Sequence, residues 1–102
     1  MILQDDNEGA TTFVYRGNPD AREVYLVGDF NSWDPTRRRM VKMKDGSFQI
    51  RLKLSGDEHQ YMFVVDGNWT NDPSAERAVP NAYGKLNSVV PARGSVIHED
   101  RG

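Results

Sequence analysis

Cysteine is absent from the chain, which removes disulfides, zinc–thiolate sites and cysteine nucleophiles together. Histidine is scarce, with only His59 and His98, too few to build a histidine-rich metal site. No apolar stretch approaches the roughly 20 residues of a membrane span. Met1-Ile2-Leu3 runs straight into Gln4-Asp5-Asp6, without the basic and apolar regions of a secretory leader. A soluble, cytoplasmic protein without a membrane partner is therefore expected. An excess of one charge is missing too: 13 Lys and Arg stand against 15 Asp and Glu. That balance argues against a polyanion held by counterion release, so nucleic acid is not the expected partner.

A convincing amphipathic helix is also lacking, and the period that dominates instead is two. Phe48-Gln49-Ile50-Arg51-Leu52-Lys53-Leu54 alternates apolar and polar residues, as a half-buried strand does. Tyr61, Phe63 and Val65 repeat the pattern, with Met62 and Val64 on the opposite face. Thr12–Arg16 and Glu23–Val27 are short runs rich in β-branched and aromatic residues, separated by Gly17-Asn18-Pro19-Asp20. Met40–Met43 is a weaker strand, closed by Asp45-Gly46 into a hairpin with the strong one. Leu86–Val90 is the last strand, ended by Pro91. Between Trp69 and that strand, Asn71–Asn81 carries two prolines and reads as a long ordered loop.

Six to eight short strands at this spacing describe an all-β fold, an immunoglobulin-like antiparallel sandwich. At 102 residues it is one domain with one core. Residues 11–91 are expected to form it. Residues 1–10 and 92–102, polar and without a periodic apolar set, are expected to be flexible ends.

Catalytic chemistry is thinly represented. His59 reads as a solvated strand residue, and His98 falls in the tail. Asp29, Asp34, Asp66 and Asp72 all neighbour Gly, Asn or Pro, where aspartate commonly satisfies turn backbone. A glycosidase pair would also need a deep cleft, which a small sandwich rarely builds. Neither a metal nor a cofactor is expected. Arg37-Arg38-Arg39 reads as a solvated loop or a charge-guarded edge strand.

The two tryptophans are the most informative residues. They sit in Gly28-Asp29-Phe30-Asn31-Ser32-Trp33-Asp34-Pro35 and Asp66-Gly67-Asn68-Trp69-Thr70-Asn71-Asp72-Pro73, among turn formers after strand-like runs. Burial in the core is the ordinary alternative for any one tryptophan. Two in matching turns favour a pair of exposed aromatic platforms for a flat, polar ligand.

Three blocks together resemble one family: Val24–Trp33, Glu58–Pro73 and Gly84–Val90. They look like the family 48 carbohydrate-binding module, which includes the glycogen-binding domain of AMP-activated protein kinase β subunits and N-terminal domains of isoamylases and branching enzymes. The resemblance covers about Thr12 to Val90. It implies non-catalytic binding of an α-1,4-linked glucan, polysaccharide or malto-oligosaccharide, with Trp33 and Trp69 stacked on glucose rings. It aligns Tyr83, Lys85 and Asn87 with the leucine, threonine and asparagine that complete the family's site, and Met62 with a sugar-binding lysine. Asn87 and both tryptophans are retained, whereas Met62, Lys85 and Tyr83 depart. The alternative is an interaction domain of the same fold, docking on a kinase or glycan-processing enzyme with weak or lost sugar binding. An exposed Met62 as an adaptable protein contact motivates it.

Overall fold

The computed structural model describes residues 2–5 and 9–92, and its fold is built almost wholly from strands. In chain order they are β1 (Ile2–Asp5), β2 (Ala10–Tyr15), β3 (Val24–Gly28), β4 (Arg38–Arg39), β5 (Val41–Lys42), β6 (Phe48–Lys53), β7 (His59–Val65), β8 (Asn68–Thr70), β9 (Ala78–Pro80) and β10 (Leu86–Val90). They form two antiparallel sheets. One has the order β1-β2-β6-β5 and the other β4-β3-β7-β10-β9, with β8 also on β7. The all-β sandwich read from the alternation is the fold. Among the described residues no helix is long and apolar enough to cross a membrane.

The alternation places the core between the sheets. Phe13 and Tyr15 from β2, Phe48 from β6 and Tyr61, Phe63 and Val65 from β7 are buried there with Val24, Leu26 and Val90. Tyr61 meets Phe13 edge-on at 5.0 Å between ring centroids and Phe63 at 5.6 Å. Such pairs contribute roughly 0.5–1.5 kcal/mol each beyond their area.

Strand β7 organises the second sheet. One edge pairs with β3 from Tyr61 to Val65. The other is shared, with His59–Tyr61 on β10 and Phe63–Val65 on β8. The β7–β8 hairpin closes through Asp66 (φ 48°) and Gly67 (φ 87°), both left-handed, as a two-residue turn matching strand twist requires. Residues on β8 and β10 are thereby lined up along one strand.

Four readings are corrected. Residues 1–10 do not lie wholly outside the sandwich, because Ile2–Asp5 pairs with Ala10–Phe13 and Ile2 packs on the core. Met40–Met43 is not one strand: β4 pairs with β3, β5 with β6, and the chain changes sheets at Met40. Met40 is buried there, and its N–H reaches Val24 O at 2.8 Å. The segment Asn71–Asn81 is not all loop, since Ala78–Pro80 pairs with Leu86–Ser88. Pro80 is tolerated because β9 is an edge strand. Trp69, read as a turn residue, stands in a strand. Of the expected tail, only Ala92 lies within the described residues, and His98 is outside them.

Candidate functional site

Residues opposite the core-facing set on β7 meet a second apolar cluster on the outer face of the sheet. Val27, Met62 and Val64 are buried there, with Tyr25 and Trp33 packed against them. Residues directly paired across strands share a face. Val64 is paired with Trp69, and one further step of the β7–β10 register sets Asn87 opposite Met62. The outer face thus holds Met62, Val64, Trp69 and Asn87 together.

Trp33 reaches this face from the loop after β3. A single 3-10 turn at Asp29–Asn31 follows the strand. It is fixed from inside by Asn31, which donates to Leu26 O at 3.0 Å and accepts from Gly28 N at 3.1 Å. Gly28 is required by space. A Cβ there would lie 2.4 Å from Phe30 Cε2 and 2.7 Å from Gln60 O. The chain leaves the turn through two left-handed residues, Ser32 and Trp33, both at φ 58°. Such backbone costs on the order of 1–3 kcal/mol per non-glycine residue and persists only where the surrounding structure holds it. The indole comes to rest half-buried on Val27, Met62 and Val64.

Around the two indoles runs a groove of about 760 Å³. All six residues singled out from sequence line it: Trp33, Trp69, Tyr83, Lys85, Asn87 and Met62. Their exposure differs. Tyr83 stands out at 87% and Trp69 at 37%, whereas Met62 is 2% exposed and forms the floor. The expectation of an exposed Met62 is therefore corrected, and with it goes the motive for treating Met62 as a protein-contact residue. Of the two platforms expected to be exposed, Trp69 is exposed, whereas Trp33 is half-buried and keeps one side against the sheet.

Asp29, Gln60 and Asn81 also line the groove and were missed by sequence reasoning. For Gln60 a signal existed, because it shares strand parity with Met62. Asn81 lies in the β9–β10 connection and offered none. Its amide oxygen accepts from the N–H groups of Tyr83 at 2.8 Å and Lys85 at 3.1 Å, tying the connection into a compact turn.

His59 is not the solvated residue expected. Its side chain is 15% exposed; Nδ1 lies 2.8 Å from Asp29 Oδ1 and Nε2 3.0 Å from Ser55 Oγ. Asp29 Oδ2 accepts from Gln60 N at 2.9 Å. The three side chains have the order of a serine–histidine–aspartate set, but the Ser55 hydroxyl is shared with Asp57 Oδ2 at 3.2 Å, and neither Ser55 nor His59 lines the groove. The network staples the β6–β7 loop to the turn that presents Trp33.

The remaining aspartates divide. Asp34 caps its own turn as expected, accepting from Thr36 N and Oγ1, and those bonds followed by Arg37 hold its carboxyl below the usual range. Asp66 acts at long range, and Asp72 does both, since its Oδ1 accepts from Ser74 N at 2.9 Å within its own turn as expected. Asp66 Oδ1 accepts from Arg22 N and Glu23 N at 2.9 Å each. Buried Asp72 accepts from Tyr61 Oη at 2.6 Å while its N–H reaches Ser88 Oγ at 2.8 Å. Burial first, then that carboxylate, push the Tyr61 phenol far above its ordinary value. Arg38 and Arg39 are an exposed edge strand, one of the two readings given for the basic run. No cluster of metal-ligating side chains occurs among the described residues.

Comparison with known proteins adds to this geometry. A family described as the glycogen recognition site of AMP-activated protein kinase matches residues 10–97. The chain is 38% identical over 80 residues to 5'-AMP-activated protein kinase subunit beta-1 of Sus scrofa, covering 78% of this chain and 62% of that one. Over 80 residues it is also 38% identical to subunit beta-1 of Homo sapiens, covering 28% of that protein, and over 82 residues 37% identical to subunit beta-2 of Mus musculus, covering 29%. The chain spans less than two thirds of the length of these relatives.

Proposed function

Because this chain belongs to the family of the glycogen recognition site of AMP-activated protein kinase, we propose that it binds α-1,4-linked glucan, glycogen or starch-like, without transforming it. Residues 11–91 are the proposed binding domain. In this reading successive sugar rings lie on Trp33 and Trp69, Tyr83 offers a third ring at the rim, and Asn87 and Lys85 meet hydroxyls. The apolar C–H face of glucose suits an indole, while the amide of Asn87 can donate and accept at once. The observation that carries the reading is that both indoles border one groove floored by Met62 and edged by Asn87.

Each stacked ring contributes on the order of 1–3 kcal/mol, by analogy with bases on aromatic platforms. After the cost of association, two or three such contacts give micromolar to millimolar affinity. A polymer with many copies of its repeat compensates for weak single contacts. The names of the relatives support a kinase as the partner brought to glucan, with the module serving as its anchor. An interaction domain without sugar binding is the weaker reading, since Met62 lies beneath Trp33 rather than at the surface.

The test is titration with maltoheptaose followed by indole fluorescence, together with retention on a glycogen gel. Saturable quenching or enhancement is expected, and Trp33→Ala and Trp69→Ala should each shorten retention. Unchanged retention of the double variant removes the proposal. Shortening of maltoheptaose by the purified protein, followed by chromatography, would refute the non-catalytic part alone.

A further inference from the structure

Asn87 is held at both ends of its amide. Asn81 Nδ2 donates to Asn87 Oδ1 at 3.0 Å, and Asn87 Nδ2 donates to Gln60 Oε1 at 2.9 Å. An asparagine side chain has two donors and two acceptor positions, so Asn87 retains one of each for another group. What decides which end of the amide faces which way is the rest of the chain of bonds. Asn81 Oδ1 takes the N–H groups of Tyr83 and Lys85. Backbone N–H groups donate and never accept, so Asn81 cannot flip without setting its NH2 against two donors. With Asn81 fixed, its NH2 must face Asn87, and Asn87 must turn its oxygen toward Asn81 and its nitrogen toward Gln60. The main chain of Gln60 is held separately, its backbone N–H donating to Asp29 Oδ2 at 2.9 Å.

We propose that Asn81 is a positioning residue of the groove, which transmits the fixed polarity of the Tyr83 and Lys85 backbone to the amide of Asn87. Asn87 then presents its remaining N–H and lone pair to a ligand hydroxyl pair in one sense only. The inference rests on the glucan-binding reading above and adds to it a source of orientation for the polar contact. It also gives asparagine at position 81 a reason. A serine could accept the backbone bonds but could not span to Asn87, and an aspartate could accept them but has nothing to donate.

Asn81→Asp separates these roles, because its carboxylate still accepts from Tyr83 N and Lys85 N while opposing the oxygen of Asn87. The variant should keep its melting temperature within a few degrees. It should lose about tenfold in maltoheptaose affinity, the order expected for one misoriented hydrogen-bonding amide. The Asn87 side-chain NH2 resonances should shift before any sugar is added. In an Asn87→Ala background the same substitution should cost less than twofold, since a residue acting through Asn87 has nothing left to orient. Affinity within twofold of the parent, or an undiminished loss in the Asn87→Ala background, would overturn the proposal while leaving glucan binding intact. Absence of maltoheptaose binding by the parent protein at millimolar concentration would instead sink the glucan reading and this inference with it.

Discussion

Removing a single oxygen from Tyr61 should loosen both the core and the approach to the groove. Tyr61 is fully buried and donates to Asp72 Oδ2 at 2.6 Å, while Asp72 in turn accepts from Ser74 N at 2.9 Å and donates its own N–H to Ser88 Oγ. Tyr61→Phe keeps the ring, its edge-on contacts with Phe13 and Phe63, and nearly all of the buried area. What it removes is one charge-assisted bond, and it leaves a buried carboxylate with one donor fewer. Bonds of that kind contribute about 1.5–3 kcal/mol. For a domain near this size the unfolding entropy converts that loss into a melting temperature lower by roughly 7–14 °C. Differential scanning calorimetry reads it directly. Asp72 begins the segment leading from β8 to β9 and Asn81, so amide hydrogen exchange should rise over residues 71–77 more than in β2 or β6. A fall of less than 2 °C, or exchange rising evenly across both sheets, would refute the view that the phenol–carboxylate bond clamps this segment to the core.

Three further outcomes follow from the packing. Gly28→Ala should destabilise by about 1–3 kcal/mol, the usual cost of overpacking, because a Cβ would sit 2.4 Å from the Phe30 ring and 2.7 Å from a backbone oxygen; an unchanged urea midpoint would contradict the crowding. Thr11→Val should stabilise by about 1 kcal/mol, since the fully buried Thr11 hydroxyl meets no partner among the described residues, and a lower denaturation midpoint would count against that. Asp45 sits at about 2 instead of 3.8, held down first by the Ser47 hydroxyl, then by Ser47 N–H and Arg16. A carboxyl depressed in the folded state binds fewer protons there, so its stabilisation is complete above about pH 4 and is lost as pH falls toward about 2. Asp45→Asn should flatten the stability curve across that window, and identical slopes for the two proteins would exclude the assignment.

How much of this was legible before the structure depended on how far apart in sequence the deciding contacts lay. The core of β6 and β7 could be read from alternation, because parity is a property of neighbouring residues and survives any packing. The same parity put Met62 on the face away from Phe63, correctly. It could not reveal that this second face is covered, since the cover arrives from Trp33, nearly thirty residues earlier. His59 was misread for the same reason: its partner Asp29 lies 30 positions away. Three short strands escaped because their sequences carry little pattern, among them Asn68–Thr70, read as a turn. Ile2–Asp5 has one packed apolar residue, and Ala78–Pro80 contains a proline that only an edge position accommodates. The break at Met40 was invisible because each half pairs with a different sheet.

The arrangement gives β7 two duties, and this bears on how tightly the groove can hold a flat ligand. Its odd-numbered residues from Tyr61 to Val65 fill the main core, while Met62 and Val64 support Trp33 from below and Trp69 stands across from Val64. A platform whose indole is packed on one side loses little freedom when a ring settles on the other, so the ordering cost of binding is met largely during folding. The left-handed backbone at Ser32 and Trp33 fits that account, being strain held by the Asn31 and Asp29 bonds around it. An apolar Met62 floor serves it better than a flexible cation could. A buried lysine under the Trp33 indole would have to extend upward to find a partner, trading a rigid floor for a polar contact. On the proposed glucan reading, polar recognition falls to the rim, to Asn87 and Lys85, where the amide of Asn81 holds the connecting turn in register.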